Sequence, residues 1–333
     1  MKVDFHFHLE EGPYSASWLH RTVLALERTT PDSELLNSPS HSIDWAKELS
    51  KRLAERLETG CFSDDWLHRY FHQGKAKGIE YFGIVDHLYR FEEFRSYYNK
   101  YMILDDSPLG RIQQYWLDRV CVSSIEPFIS LVEKAKRDGF PVSIGVEADY
   151  FPGGEEELKE LLSSYKFDYV IGSVHFLEGW GFDNPETQDL FKEKDLTALY
   201  AMLFDYVKGA ASSGLFHIIA HLDNLKVFNF RPDERKLAPM YEDVAATLKK
   251  ADVATEINTG LAYRYPVKEA CPSRTFLQIL HKHGVPITLS SDAHFPDDIG
   301  TQLDEAVQML SDAGYEEIVY FKEGKRIAIP LQD

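Results

Sequence analysis

Met1-Lys2-Val3-Asp4-Phe5-His6-Phe7-His8 opens the chain and predicts a short buried strand. Alternate side chains of a strand point to opposite faces. His6 and His8 therefore lie on one face, while Phe5 and Phe7 pack on the other. Neutral imidazole is a common ligand of zinc, iron and other transition metals. An isolated His-x-His pair is equally typical of a half-exposed strand, so the choice between the two interpretations depends on the rest of the chain.

Six further hydrophobic segments predict strands, and five of them end in His, Asp or Glu. The segments are residues 79–87, 142–147, 169–175, 217–221, 253–258 and 287–294. Their apolar runs are typical of parallel strands that are covered on both faces. Helical segments alternate with them, which predicts an α/β fold with a parallel sheet. Seven such strands predict a closed or nearly closed barrel.

The chemistry of a βα barrel lies at the C-terminal ends of its strands, and here those ends carry metal-binding side chains. They are His6, His8, His87, Glu147, His175, His221, Asp292 and His294. The set offers nitrogen and oxygen without thiolate, which fits zinc, iron or manganese. Eight donors are too many for one ion. We therefore predict two or three divalent metal ions with a bridging carboxylate.

Composition limits the class of function. The net charge of −18 argues against a nucleic-acid-binding surface, and no apolar run approaches the ~20 residues of a membrane span. The three cysteines are far apart and in no metal-finger spacing, which suits a reducing compartment. We expect a cytoplasmic protein without a signal peptide that binds neither nucleic acid nor membrane. A homo-oligomer is left open.

The domain prediction is a single barrel over residues 1–333 with two additions. Residues 17–77 show helical spacing, for example at Leu49 and Leu53, and the segment is long for a simple crossover. We therefore predict a helical insertion near the end of the first strand. Residues 91–120 are aromatic and irregular, and they predict a second insertion that acts as a lid or an interface.

Six motifs of this chain, in this order, resemble those of the PHP (polymerase and histidinol phosphatase) family. They are Asp4-Phe5-His6-Phe7-His8, Val85-Asp86-His87, Gly145-Val146-Glu147, Gly172-Ser173-Val174-His175, Ala220-His221-Leu222-Asp223 and Ser291-Asp292-Ala293-His294. The chain length and Glu256-Ile257-Asn258-Thr259-Gly260 look like the histidinol-phosphate phosphatase branch. The resemblance implies a distorted (β/α)7 TIM-like barrel, which agrees with the strand count.

The resemblance also implies a trinuclear metal centre. The first metal would bind His6, His8, Glu147 and Asp292. The second would share Glu147 and bind His175 and His221. The third would bind His87 and His294. Members of the family often have one more histidine shortly after the His-x-His pair, whereas this chain has Glu10 and Glu11 there. We expect Glu11, or alternatively Glu10, to take that place. Otherwise the third site is weak or empty.

By resemblance, the activity is hydrolysis of a small phosphomonoester, first of all L-histidinol phosphate to L-histidinol and phosphate in histidine biosynthesis. A metal-activated hydroxide would attack phosphorus in line, and the metals would offset the charge on the equatorial oxygens. Asp223, or a water on the third metal, is the candidate proton source for the leaving alkoxide. Arg264 is the candidate for holding the phosphate because guanidinium matches phosphate geometry, with Arg90 and Arg231 as alternatives.

Three other functions stay open at this point. A phosphatase of the same family could act on a different small ester or a nucleotide, although the negative charge argues against a long polymer. The chain could be a non-catalytic metal-binding regulatory module. It could also be a hydrolase of C–N bonds, since amidohydrolases carry His-x-His on the first barrel strand too. Glu147 and the Asp292/His294 pair fit the phosphoesterase family better.

Overall fold

The computed structural model describes residues 1–30 and 39–331. Its centre is a seven-stranded parallel sheet. The strands are β1 (Lys2–Phe7), β2 (Ile79–Ile84), β3 (Val142–Asp149), β4 (Tyr169–Ser173), β7 (Ile218–Ile219), β8 (Ala254–Asn258) and β9 (Ile287–Ser290). They lie side by side in this order. A small hairpin of β5 (Phe176–Leu177) and β6 (Trp180–Gly181) stands between β4 and β7 in the chain.

The sheet curls until its two outer strands meet. The backbone N–H of His8 donates to the carbonyl of Ala293 at 2.7 Å. The N–H of Asp292 donates to the carbonyl of His6 at 2.8 Å. These bonds join the C-terminal end of β1 to the residues that follow β9. The predicted distorted (β/α)7 barrel is confirmed, and it is nearly closed at the end that carries the predicted metal donors.

Large aromatic rings fill the barrel interior where neighbouring strands carry glycine. A Cβ atom on Gly145 would lie 2.5 Å from the ring of Tyr169, and one on Gly83 would lie 2.7 Å from the ring of Phe5. The Tyr169 hydroxyl donates to the carbonyl of Phe5 at 3.2 Å. Any larger residue at these two glycines would push apart a close-packed core.

A C-terminal antiparallel hairpin covers the end of the barrel where the strands begin. It consists of β10 (Glu317–Lys322) and β11 (Lys325–Pro330). The hydroxyl of Ser143, near the start of β3, donates to the carbonyl of Phe321 at 2.7 Å. The ring of Phe321 stacks on that of Tyr169 at 6.3 Å. The hairpin thus closes the end of the barrel opposite the predicted site.

Helices surround the sheet. In chain order they are Ala16–Thr29, Ile43–Thr59, Asp64–Ala76, Arg95–Tyr101, Pro108–Val120, Glu126–Arg137, Glu155–Ser163, Leu196–Ser212, Glu234–Ala251, Gly260–Arg264, Arg274–His283 and Leu303–Ala313. The first three lie in the segment that the sequence predicts to be mostly helical. Within the described parts of the chain, no helix is both long and apolar enough to cross a membrane.

Residues 91–120, whose sequence pattern is irregular, are mostly helical in the structure, and their role as a lid or an interface stays a prediction. Most of this segment forms the helices Arg95–Tyr101 and Pro108–Val120. Ser107 caps the second helix by accepting a hydrogen bond from the N–H of Gly110 at 3.0 Å, and proline occupies the first helical turn. The many aromatic residues conceal these signals because they pack on several sides of short helices and so obscure a single apolar stripe.

A buried ion pair anchors the helical segment after β1 to the barrel. Arg56 Nη2 donates to Glu10 Oε2 at 2.8 Å, and Trp18 Nε1 donates to Glu10 Oε1 at 2.9 Å. The side chains of Arg56 and Glu10 are only 5% and 3% exposed. The Arg56 guanidinium also lies 4.4 Å from the ring centroid of Trp66. Glu10 therefore serves as an anchor for these helices.

Arg56→Ala is expected to lower the free energy of unfolding by about 3–5 kcal/mol, because it leaves the Glu10 carboxylate buried and uncompensated. Urea denaturation measures the loss. Lys51→Ala on the same helix is the matched control: its ammonium is exposed and lies 3.8 Å from Glu55. Such a surface pair contributes at most about 0.5 kcal/mol. Equal losses in the two variants would contradict the anchoring role.

Candidate metal centre

Two histidines and one glutamate meet at the C-terminal end of the barrel. The Nε2 atoms of His6 and His8, on the same face of β1, are 3.0 Å apart. Glu147 Oε2 lies 3.2 Å from Nε2 of His6 and 3.3 Å from Nε2 of His8. All three side chains are buried. The spacing predicted from the first strand thus places both imidazoles against one carboxylate.

Glu147 also faces a second group of imidazoles. Its Oε1 atom lies 3.2 Å from His221 Nε2 and 3.7 Å from His175 Nε2. The Nε2 atoms of these two histidines are 3.2 Å apart. Glu147 Oε2 is also 2.8 Å from Nδ1 of His87. One carboxylate therefore contacts both groups, which is the arrangement of a bridging ligand.

Asp292 and His294 complete the cluster. Asp292 Oδ1 lies 3.5 Å from His8 Nε2. The ring of His8 stacks on both His87 and His294, with centroid distances of 4.1 and 4.3 Å, and the latter two rings are 5.8 Å apart. Three sets of side chains have donor atoms within 4.8 Å of one another: His6, His8 and Asp292; His87, Glu147 and His175; and His8, His87 and His294.

These donors fit divalent metal ions. Ligand atoms that bind one ion at about 2.0–2.2 Å stand about 3–3.5 Å from each other, as do the imidazole nitrogens and carboxylate oxygens around Glu147. Hydrogen bonds cannot satisfy so many converging lone pairs, because a neutral imidazole has a single N–H. A cation satisfies them all. The nitrogen and oxygen donors suit zinc, manganese or iron.

The electrostatics of the cluster set four of its donors to the protonation states that metal binding requires, whereas, against the effect of burial, neighbouring carboxylates raise the pKa of His6, His8 and His175. Although burial opposes it, the surrounding imidazoles, with His87 foremost, hold the pKa of Glu147 well below its usual range. Arg264 likewise lowers the pKa of Asp292 against the effect of burial. Burial lowers the pKa of His87 to about 4 and also lowers that of His294. Near pH 7 these carboxylates are charged, and the two imidazoles keep a free lone pair.

Two buried carboxylates stand behind the imidazoles and orient them. Glu256 Oε2 lies 2.9 Å from His6 Nδ1, and Asp149 Oδ1 lies 2.8 Å from His175 Nδ1. Glu256 also accepts a hydrogen bond from the backbone N–H of His221 at 3.1 Å. Burial alone would lower the pKa of His175, but Asp149 raises it to about 10. Such contacts decide which ring nitrogen faces a metal.

Glu256 and Asp149 have no role predicted from the sequence, although the position of each in its strand carries a signal. Asp149 stands two residues after Glu147 on β3, so that both side chains point to the same face. Glu256 is the third residue of β8, two residues before its C-terminal end. Polar residues at these positions of an otherwise apolar strand indicate a contact with the site.

Asp149→Asn is expected to weaken metal binding by about 10–100-fold, the usual effect of losing a carboxylate behind a ligating histidine. The amide can still accept from Nδ1 of His175, so the change removes charge more than shape. Chelator competition measures the dissociation constant. Asp205→Asn, on the outer face of helix Leu196–Ser212, is the control because its side chain is 71% exposed. Unchanged affinity in Asp149→Asn would refute this role.

Backbone turns direct two of the donors into the site. His221 has φ 23° and Asp292 has φ 51°, a region that non-glycine residues rarely occupy. The predicted strands 217–221 and 287–294 are consequently shorter in the structure, where they span Ile218–Ile219 and Ile287–Ser290. Strained residues of this kind cluster at functional sites. Here the turns bring side chains that follow the strands back over the barrel axis.

Arg264 lies beside the cluster, as predicted. Its Nη2 atom is 3.0 Å from Asp292 Oδ2, and its Nη1 atom is 2.8 Å from His294 Nδ1. Glu11 Oε1 lies 3.8 Å from Arg264 Nη1, with its side chain 40% exposed. Glu11 belongs to none of the three donor sets formed by the described residues. Its role as a metal ligand therefore stays a prediction. The carboxylate of Glu10, the alternative, forms an ion pair with Arg56.

Asp223, the predicted proton source, is directed elsewhere. Its Oδ2 atom lies 2.9 Å from the ammonium of Lys226 and accepts a hydrogen bond from the N–H of Ser273 at 3.0 Å. The sequence could not show this, because Ser273 is 50 residues away in the chain. The structure does not bring Asp223 to the cavity above the donors. Its role as the proton source stays a prediction.

The two alternative arginines are also engaged away from the cavity. Arg90 is buried, with Nε 3.5 Å from Asp86 Oδ1. Arg231 Nη1 pairs with Glu269 Oε2 at 2.5 Å on the surface. Of the three arginines considered from the sequence, Arg264 is the one that lines the cavity. A guanidinium next to the metal donors is able to bind an anion there.

Two connected cavities lie above the donors. The inner one, the metal pocket, has a volume of about 100 Å³ and is lined by the cluster and Arg264. The outer one, the vestibule, has a volume of about 650 Å³ and reaches Trp18 and Arg21 of the first helix. The two cavities share Glu11, Tyr89, Trp116, Phe176, Asp183 and Tyr265. A ligand can therefore occupy both at once.

Comparison with known proteins agrees with this site. Residues 61–260 match the PHP domain. A protein of Deinococcus radiodurans named "Probable histidinol-phosphatase" is 35% identical over 222 residues, which cover 65% of this chain and 82% of that protein. A protein of Schizosaccharomyces pombe with the same name is 24% identical over 255 residues, covering 70% and 82%.

A crystal structure shares the fold over nearly the whole chain. It is histidinol phosphate phosphatase from Lactococcus lactis, complexed with zinc, L-histidinol and phosphate. The two chains are 17% identical, each is covered to 98%, and the TM-score is 0.61. The resemblance inferred from the motifs is thereby confirmed, and the chain belongs to the PHP domain family.

Proposed function

We propose that this protein is a metal-dependent phosphatase that hydrolyses L-histidinol phosphate to L-histidinol and phosphate. The observation that carries the proposal is Glu147, which contacts two groups of imidazoles in a pocket that also holds the Arg264 guanidinium. Arg264 on one side of this small pocket and bound metal ions on the other would both stabilise the negative charge of a phosphoryl group during its transfer. The names of the curated relatives support histidinol phosphate as the substrate.

Two or three divalent ions, with zinc, manganese and iron as the candidates, would occupy the three donor sets around Glu147. When bound, such ions act as Lewis acids on phosphoryl oxygens and supply a nucleophile from water at neutral pH. The number of ions and their identity are part of the proposal. It is supported by the donor distances and by the zinc in the Lactococcus lactis protein.

Arg264 would hold the phosphoryl group. Its guanidinium is fixed by Asp292 and His294, and its remaining N–H donors are free to face an anion in the metal pocket. Because the group is largely buried, its charge acts at short range with little screening by water. Charge that builds up on the phosphoryl oxygens would be stabilised by a donor that needs no rearrangement.

A second candidate is hydrolysis of another small phosphomonoester. The observation that favours it is the size of the vestibule. Its volume of about 650 Å³ lies within the range of pockets that bind ligands larger than L-histidinol phosphate. Residues of the helical segment after β1, including Trp18 and Arg21, line its outer part. These residues could select a leaving group other than histidinol.

The test combines metal analysis with a substrate panel. We would purify the protein without chelator, count its metals, and measure phosphate release from L-histidinol phosphate, a mononucleotide and p-nitrophenyl phosphate. Two or three metals per chain and the highest kcat/KM for L-histidinol phosphate are expected, with activity lost in EDTA and restored by zinc or manganese. A faster reaction with another ester would favour the second candidate. Bound metal without hydrolysis of any ester would indicate a regulatory module.

We also propose that the protein acts in the cytoplasm, in histidine biosynthesis. The three cysteines are free and buried, which suits a reducing compartment. Growth without histidine tests the pathway. Expression of this chain is expected to restore growth of a strain that lacks histidinol-phosphate phosphatase, and failure of an active enzyme to do so would contradict the assignment.

A further inference from the structure

An aromatic wall leads from the metal pocket into the vestibule. The ring of Tyr89 stacks on that of His87, a metal donor, with a centroid distance of 4.5 Å. The ring of Trp116 follows at 4.7 Å from that of Tyr89. Tyr89 and Trp116 line both cavities. A substrate whose phosphoryl group lies at the metal donors therefore has its organic part beside these two rings.

Asp183 faces the same space from another part of the chain. It follows the β5–β6 hairpin, where the N–H of Phe182 donates to the carbonyl of His175 at 3.1 Å. This bond holds Asp183 next to the metal cluster, and its side chain lines both cavities. Burial raises the pKa of Tyr89 and of Tyr265, and the negative charge of Asp183 adds to both effects. Asp183 thus lies close to the aromatic lining.

The carboxylate of Asp183 differs from two acidic groups near it that pair with a basic side chain. Glu11 has Arg264 at 3.8 Å, and Asp149 has His175 at 2.8 Å. Across residues 1–30 and 39–331, the Asp183 carboxylate accepts a hydrogen bond from its own backbone N–H but forms no ion pair. Burial raises its pKa, and the imidazoles of His175 and His221 oppose that rise. A partly buried carboxylate without an ion-pair partner is stabilised when a ligand supplies one. The proposed phosphatase chemistry gives it no role.

The chemistry of this surface selects an organic cation. A carboxylate attracts an ammonium group through a charge-assisted hydrogen bond. Aromatic faces attract cations as well and offer contact area to a flat or aliphatic chain. An anionic or neutral polar group would gain nothing comparable from Asp183. Arg264 lines only the metal pocket, whereas Asp183 lines both cavities, so a negative charge is present on the way out to the vestibule and the positive charge of Arg264 is not.

We propose that Asp183, with the wall formed by Tyr89 and Trp116, is a subsite for the cationic organic part of the substrate and makes the enzyme select phosphate esters whose leaving group carries an ammonium group. The inference rests on the proposed phosphatase activity and adds to it a residue that determines specificity. The phosphoryl group occupies the metal pocket with Arg264, and the ammonium group lies in the vestibule next to Asp183.

The first test compares L-histidinol phosphate with its analogue that lacks the amino group. The unaltered holoenzyme is expected to prefer the amine-bearing ester by about 10–100-fold in kcat/KM, the effect of one hydrogen bond to a charged group. In Asp183→Asn this ratio is expected to fall to near one. Glu193→Gln, an exposed carboxylate in the neighbouring 3-10 helix Pro185–Glu193, is the control and should keep the full ratio.

Two results would overturn the proposal. One is an unaltered enzyme that does not distinguish the two esters. The other is an Asp183→Asn enzyme that loses activity toward both by the same factor, because this pattern indicates proton transfer or a structural role. Thermal unfolding and metal content of each variant show whether it folds. If Asp183→Asn does not fold, the kcat/KM ratio of the two esters is measured on Asp183→Ser instead. The ratio on the unaltered enzyme tests the proposal without any variant.

A binding measurement separates this inference from the proposed function. Calorimetry with the metal-loaded protein would measure the affinity for L-histidinol and for the alcohol without the amino group. The subsite predicts that L-histidinol binds about 10–100-fold more tightly and that Asp183→Asn removes the difference. Absence of hydrolysis with this binding pattern intact would refute the phosphatase function alone. Hydrolysis with equal binding of the two alcohols would refute the subsite alone.

Discussion

His175→Ala is expected to lower kcat for phosphate release by at least about 1,000-fold, because a lost metal ligand removes several kcal/mol of transition-state stabilisation. The Nε2 atom of His175 lies 3.2 Å from Nε2 of His221 and 3.7 Å from Oε1 of Glu147. Without this imidazole, the remaining donors of that group hold an ion less tightly and in a less defined position. Steady-state kinetics and the number of metals per chain measure the effect.

His72→Ala is the matched control for this experiment. His72 is an exposed residue of helix Asp64–Ala76 and belongs to none of the donor sets formed by the described residues. It is expected to retain full activity and metal content. Circular dichroism and thermal unfolding should show both variants folded. A His175→Ala protein with full activity and an unchanged metal count would contradict the assignment of the centre.

Arg264→Lys is expected to lower kcat/KM by about 100–1,000-fold, comparable to removing a positioned donor from an anion-stabilising site. Lysine keeps the charge but lacks the planar fork of donors. The Arg264 guanidinium lies 3.0 Å from Asp292 and 2.8 Å from His294, and it has further N–H donors for a phosphoryl oxygen. A lysine ammonium cannot contact all three groups at once. Kinetics with L-histidinol phosphate and the inhibition constant of inorganic phosphate measure the loss.

Arg231→Lys provides the comparison, since Arg231 pairs with Glu269 on the surface. Its kcat/KM should match that of the unaltered protein. If Arg264→Lys behaved in the same way, the phosphoryl group would have to be held by other residues. A loss of bound metal in Arg264→Lys would instead indicate that the arginine serves mainly to position Asp292 and His294.

Much of this site could be predicted from the sequence because it follows from local periodicity. The alternation along β1 places His6 and His8 on one face. The apolar runs that end in Glu147 and His175 indicate parallel strands, whose C-terminal ends meet at one edge of a barrel. Each of these inferences needs only a short segment and a general property of the fold. The structure brings these predicted donors together.

Other features depend on contacts between distant parts of the chain. Glu10 and Glu11 are neighbours in sequence, but Arg56 takes the first and Arg264 approaches the second. Local pattern does not distinguish them. Asp223 is similar, because Lys226 and the distant Ser273 occupy its carboxylate. The side chain that each polar group meets is set by how the helices and loops pack.

Local sequence patterns are enough to predict the class of fold, the end of the barrel that carries the chemistry and the type of donor found there. These depend on the order of apolar and polar residues within single strands, which repeats with the geometry of the strand. Contacts between distant segments add that Glu256 and Asp149 orient the imidazoles and that Asp183 lines both cavities. Such roles arise from distances between residues far apart in the chain, and no local periodicity records those distances.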